Sequence, residues 1–275
     1  VPQIALNQAN LNAGATNLSN DEQTLTTTEG YLFENIINAI TGAKLAGGRS
    51  RFDFPSNSIG SAKDGLKKLF TSSTGEGIDT LIISIPPDRK NSSSSFVQKI
   101  TTVLNIVRSS SINRILFLSS TSVYGNSAGI FNEYTVPNPQ TTSAKALYEV
   151  EQKLLNFQVP KLIIRLGGLV GEDRNPFVYL QDKKISNPNG CINFIHQIDA
   201  VNGISALLNH FENEGIYNLV SPHHPTRKEY YTFISEKLKL SKPQFKEEAA
   251  LIRIIEGKKI TRDTSFSYFV NNLLI

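Results

Sequence analysis

The chain has 275 residues, of which 39% are hydrophobic and 19% charged, with a formal net charge of +4. This composition excludes a disordered or low-complexity chain, and the length suits one large α/β domain or one domain with a small annex. The basic excess is small and scattered over Lys67-Lys68, Lys183-Lys184 and Lys258-Lys259, so no nucleic-acid footprint is read here; that would be denser. Cys191 is the single cysteine, so no intrachain disulfide forms. No apolar run approaches the roughly 18 residues of a membrane span, and no basic-then-apolar export signal is read in the opening residues.

In chain order, residues 3–6 are expected as a first strand and 11–18 as a short helix. Residues 23–28, rich in β-branched threonine, predict a second strand. Apolar residues at 32, 33, 36, 37 and 40 have helical spacing and predict a helix over 31–45, stopped by Gly47-Gly48. Residues 51–54 alternate as a third strand would, and 66–70 read as a short helix. A buried strand is expected over 80–85, closed by Pro86-Pro87, then a flexible polar loop over 91–95 and a helix over 96–107. Residues 114–118 are the next buried strand, 142–155 a helix, and 161–166 another apolar strand. Strand and helix alternate for most of the chain. This predicts an α/β fold, a doubly wound parallel sheet with helices on both faces. Ligands of such sheets sit at the carboxyl ends of the strands.

The strand over 114–118 delivers Ser119, Ser120, Thr121 and Ser122 at its carboxyl end, followed by Val123-Tyr124-Gly125. A hydroxyl cluster there can polarise a substrate carbonyl or hydroxyl; a Ser/Thr-rich turn without a ligand is the bland alternative. With Glu133, Pro137 and Lys145, the segment resembles the extended short-chain dehydrogenase/reductase family, the NAD-dependent epimerase/dehydratase group. Ile163 to Gly171 resembles that family's strand and loop entering the substrate region, and Ile195 to Val201 its later strand-to-helix step. There Asp199 is expected to cap a helix running to about His210. His196 is read as a packed structural histidine. Tyr217 to Val220 resembles the family's last strand. The likeness runs from about Asp79 to the C-terminus and is nearest to a small bacterial branch of predicted epimerases. Residues 1–78 match only in the order of elements.

The resemblance implies a Rossmann-like dinucleotide-binding domain over 1–165. A reduced substrate-binding region follows over 166–275, with 190–211 returning to the Rossmann sheet. By position Ser120 is the catalytic Ser/Thr, and Lys145 is the lysine of Tyr-x-x-x-Lys, which binds the nicotinamide ribose and lowers the tyrosine's pKa. Thr141 stands where that tyrosine would be. A threonine hydroxyl is a poorer and shorter acid, and general acid–base assistance is worth about 10²–10⁴-fold. Tyr148 lies about 10 Å further along the helix axis and is no substitute. The glycine fingerprint falls on Asn7, Ala9 and Asn12. Thr27 takes the place of the acidic residue at the second strand's end, and Ser84 completes the cofactor-facing candidates. The expected cofactor is NADP or NAD, the missing carboxylate favouring the 2′-phosphorylated form. Ser122, Tyr124, Arg165 and Arg174 are the candidates for a small-molecule substrate such as a nucleotide-sugar.

No metal site is expected. His223-His224 lies between Pro222 and Pro225 with no carboxylate or cysteine at ligand spacing. Neither a P-loop nor a G-x-S-x-G elbow occurs. Two main readings stay open. One is an NAD(P)-dependent epimerase/dehydratase or reductase in the cytoplasm or an organelle stroma. The other is a non-catalytic pseudoenzyme that keeps the fold as a binding or assembly module, with a homodimer or another assembly partner. A redox-silent isomerase or lyase ranks last, since no residue names its acid or base.

Overall fold

The computed structural model describes residues 4–6, 80–85, 87, 93–110, 112–171, 174–181 and 183–275. The elements expected at 11–18, 23–28, 31–45, 51–54 and 66–70 lie outside these residues, as do Asn7, Ala9, Asn12 and Thr27. In chain order the strands are β1 (Ile4–Leu6), β2 (Thr80–Ile83), β3 (Arg114–Ser120), β4 (Gly129–Phe131), β5 (Lys161–Leu166), β6 (Gly168–Val170), β7 (Lys184–Ile185), β8 (Phe194–His196), β9 (Gly215–Leu219), β10 (Gln244–Phe245) and β11 (Arg253–Ile255). The helices are α1 (Ser93–Val107), α2 (Thr142–Leu155), α3 (Gln197–Asn209), α4 (Arg227–Lys237) and α5 (Lys258–Asp263).

The main sheet runs β1-β2-β3-β5-β9, and every pairing is parallel. Parallel neighbours need crossovers, and α1, α2 and α3 supply them between the strands they separate in the chain. The strands are apolar on both faces because both faces are covered. Leu81, Ile83, Ile115, Phe117 and Ile163 pack with α1 and α2. Ile82, Leu116, Leu162 and Ile164 pack with α3 and with Ile260 of α5. Side chains alternate across a strand, so successive residues feed opposite layers. A third cluster, including Val170, Phe177, Ile192, Tyr230, Tyr231 and Leu273, joins β6, α4 and the C-terminal residues. The expected doubly wound α/β architecture is the one observed. No helix of the described residues is long and apolar enough to cross a membrane.

Three local expectations are corrected. Ser93 to Ser95 belong to α1, not to a loop; a helix's first turn leaves its N–H groups to be satisfied from outside, and serine is at home there. β3 extends to Ser120, carrying two serines of the hydroxyl cluster inside the strand. Asp199 does not cap α3. His196 is the N-cap, its Nδ1 accepting from Ile198 N at 3.3 Å. The Asp199 carboxylate is buried and accepts from Phe269 N at 2.7 Å and Val270 N at 3.0 Å, holding the C-terminal segment to the helix.

Candidate active site

β3 ends at Ser120, whose extended backbone (φ −138°, ψ 147°) leads into a 3-10 turn, Thr121–Tyr124. Ser120 caps that turn: its Oγ accepts from Ser122 N at 3.1 Å. Accepting leaves the hydroxyl proton unspent, so Ser120 retains a donor for an oxygen beyond the strand end. Ser120 is half-buried and Ser122 exposed. Val123 and Tyr124 enter the core, and Gly125 leaves the turn at φ 76°. A Cβ on Gly125 would stand 2.4 Å from the Asn138 carbonyl oxygen, so only glycine fits that exit. The serine-to-glycine run is thus one folding unit of strand end, capped turn and left-handed exit.

α2 packs against both β3 and this turn. Thr141 is its N-cap, with Oγ1 accepting from Ala144 N at 3.1 Å. Lys145 N donates to the Thr141 carbonyl at 2.9 Å, closing the helix's first intrahelical bond. The residue that stands in place of the family's tyrosine therefore serves as a helix cap, and its side chain is a short hydroxyl where the family has a phenol. Lys145 is exposed on the same helix. Tyr148 is partly buried against the core shared by α1 and α2, so it does not take the tyrosine's place.

Behind the strand ends lies a buried polar chain. In register, Ser119 pairs with Arg165, and Arg165 pairs with Asn218, so three adjacent strands set these residues side by side. Arg165 Nη2 donates to Glu151 Oε2 at 2.7 Å, and Nε donates to both carboxylate oxygens at 3.2 and 3.3 Å. Ser119 Oγ donates to Glu151 Oε1 at 2.5 Å. Arg165 Nη1 donates to Tyr124 Oη at 2.9 Å, and Tyr124 Oη donates to Asn218 Oδ1 at 2.8 Å. Asn218 N then donates to Glu133 Oε1 at 2.9 Å. Burial alone lowers the Arg165 guanidinium, but the Glu151 carboxylate more than reverses this and holds it above its ordinary value. Burial raises the Tyr124 phenol against the pull of Arg165, and raises Glu133 against the Asn218 N–H.

Tyr124 and Arg165 were expected to face substrate. Both are 1% exposed with their polar atoms satisfied inside the protein, and they are corrected to this interior network. Its effect on the site is mechanical: it holds Ser119, and so the strand end that carries Ser120. Glu151 and Asn218 were missed by sequence reasoning. Glu151 had a signal, since it shares the spacing of buried Ala144, Leu147 and Leu154 on one face of α2. Arg174 sits half-buried in the turn after β6, bridged to Gly171 by backbone bonds of 3.1 and 3.2 Å. Ser84 follows β2 directly, and its Oγ is buried with no hydrogen-bond partner among the described residues. Among the described residues no cluster of His, Cys, Asp or Glu could hold a metal ion.

Comparison with known proteins adds kinship to this geometry. No family model matches the chain. Protein YeeZ of Escherichia coli (strain K12) is 34% identical over 194 residues, 69% of this chain and 71% of that protein. Among solved structures, the Bordetella bronchiseptica enzyme WbmG in complex with NAD has a TM-score of 0.71 at 14% identity, covering 99% of this chain and 91% of the other. UDP-glucuronic acid 4-epimerase from Bacillus cereus in complex with NAD has a TM-score of 0.68 at 15% identity, covering 98% and 86%. At such identities the structural likeness carries the fold alone, whereas the likeness to YeeZ is one of sequence over two thirds of both chains. On that kinship, the parallel sheet and the serine-to-lysine segment, the chain belongs to the NAD-dependent epimerase/dehydratase family of extended short-chain dehydrogenases/reductases.

Proposed function

We propose that the protein binds NADP or NAD across the carboxyl end of its sheet and acts on a hydroxyl of a nucleotide-sugar or similar substrate. The observation that carries this reading is Ser120: a half-buried hydroxyl at the end of β3 that accepts from its own turn and keeps its proton for a ligand. The residues fit a dinucleotide at one further point. Ser84 stands at the end of β2, the strand beside β3, and its buried hydroxyl has no partner among the described residues. Parallel sheets bind their ligands at these ends. Two solved relatives in fold support the same reading: WbmG has been crystallised with NAD and UDP, and RMD from Pseudomonas aeruginosa with NADPH. When bound, the nicotinamide supplies a hydride acceptor or donor. The chain's own part is to orient the substrate oxygen through Ser120, to present Ser122 at the rim, and to hold ribose hydroxyls through Lys145. Such chemistry suits the cytoplasm or an organelle stroma.

A second reading is a binding or assembly module without turnover, alone or as a homodimer. Thr141 favours it, because no phenol stands at this position and a threonine hydroxyl is a far poorer acid.

Calorimetric titration of the full chain with NADPH and NADH separates these cases from no binding at all. Saturable binding is expected, weakened about tenfold in Lys145→Ala through loss of one hydrogen bond from a charged donor. A flat trace at millimolar cofactor overturns the proposal. Saturable binding with no new sugar product by chromatography across UDP- and dTDP-sugars supports the second reading over the first.

A further inference from the structure

Among the described residues Arg253 is a cation with no carboxylate at ion-pair distance. It lies on β11, which pairs in parallel with β4. Its Nη2 donates to the Thr121 carbonyl at 2.7 Å, one residue beyond Ser120. The guanidinium carbon stands 5.8 Å from the centre of the Phe131 ring. Nε is buried and has no partner. Among the described residues Nη1 makes no hydrogen bond either, and the residue as a whole is half-buried. Among the described residues no ion pair reaches this side chain. Burial holds the guanidinium below its ordinary value, with only the Tyr124 phenol acting the other way. Withdrawing a guanidinium from water without a counter-charge is unfavourable. One carbonyl and one ring face offset only part of that.

Its place in the fold gives the charge a use. Asn193 holds the Arg253 backbone, with Nδ2 donating to the Arg253 carbonyl at 2.9 Å and Oδ1 accepting from Ile255 N at 2.7 Å. The Asn193 carbonyl in turn accepts from Gly168 N at 2.9 Å, just past the end of β5. Arg253 is therefore fixed at the carboxyl ends of β3 and β5, the side of a parallel sheet that takes ligands. The bond to Thr121 orients the planar fork, so the remaining nitrogen is presented in a set direction.

We infer that Arg253 recognises an anionic group, a phosphate or a carboxylate, on a ligand seated beside the Ser120 turn. This rests on the proposed crevice and adds what it selects: acidic substrates over neutral ones. An anion there would meet a charge that the protein leaves unanswered.

The test uses the full chain labelled with ¹⁵N-arginine. The Arg253 Nε–H resonance, assigned by its loss in Arg253→Lys, is followed while inorganic phosphate, glucuronate or glucose is added. A saturable shift with phosphate or glucuronate and none with glucose is expected. A shift with only one of the two anions assigns the group. UDP-glucuronic acid should bind Arg253→Gln about tenfold more weakly than wild type. If that variant does not fold, the wild-type titrations decide alone. A resonance unmoved by both anions overturns the inference. NADPH titration of the same sample keeps the two proposals apart. Cofactor binding without an anion shift removes only the role of Arg253, whereas an anion shift without cofactor binding removes only the dinucleotide reading.

Discussion

Arg165 and Glu151 carry opposite charges at 1% and 0% exposure, and each is the other's main compensation. Such a pair contributes little net stability over apolar residues of the same volume, but half of it is costly. Arg165→Met should lower stability by about 3–5 kcal/mol because Glu151 is left charged and buried. Adding Glu151→Leu should restore most of that loss. Urea midpoints of the two variants check both statements; equal losses in the single and double variants would mean that the stranded Glu151 carboxylate is not what costs the stability. Arg165 was legible as important, being the one charge inside an apolar strand that Lys161 opens, but its target was not. In an apolar strand covered on both faces, a lone arginine reads equally well as reaching a ligand or an internal carboxylate. The choice was made by strand register, which set Ser119 and Asn218 beside it.

The elements nearest the site are held by caps, and caps are partly readable from sequence. α2 was expected over 142–155, which are its observed bounds, because apolar spacing and a threonine at the start agree. Thr141→Ala should destabilise the protein by about 1 kcal/mol through loss of the bond to Ala144 N, while Thr141→Ser should be nearly neutral. Chemical denaturation of both variants tests this. An unchanged Thr141→Ala would show that the cap bond to Ala144 N contributes nothing to stability. At α3 the same reasoning chose the wrong residue. Aspartate is a far commoner cap than histidine, but Asp199 is claimed by two N–H groups some seventy residues away, at Phe269 and Val270. His196 caps in its stead. A local preference lost to a buried tertiary contact.

At the scale of the whole molecule, the C-terminal residues tie together α3, α4 and the loop that precedes α4. Asp199 binds Phe269 and Val270, His223 Nδ1 accepts from Leu273 N at 3.0 Å, and Lys237 Nζ donates to the Ile275 carbonyl at 2.7 Å. The neighbouring His224 is partly buried with Nδ1 against the Ile192 carbonyl at 3.1 Å. Burial pushes its pKa below the ordinary value, against the pull of that carbonyl. A lowered folded-state pKa means that the folded protein prefers the neutral ring. Its contribution is whole above the unfolded pKa of about 6.5 and is lost as pH falls through the folded value. The wild type should therefore lose more melting temperature than His224→Gln on acidification below about pH 6.5, as read by scanning calorimetry. Parallel curves would show that His224 does not contribute. Composition, apolar period and turn residues determined by themselves the alternating α/β fold, the strand that ends in serines, and the glycine that follows them. Each depends on neighbours along the chain, through backbone sterics and the side on which a residue emerges. Only the tertiary structure decided which polar side chains serve the interior and which face the crevice. Arg253 meets Thr121 across 132 positions, and Glu133 meets Asn218 across 85. What a buried charge finds there is set by strand register and by which segment closes over it, and neither is a local property of the chain.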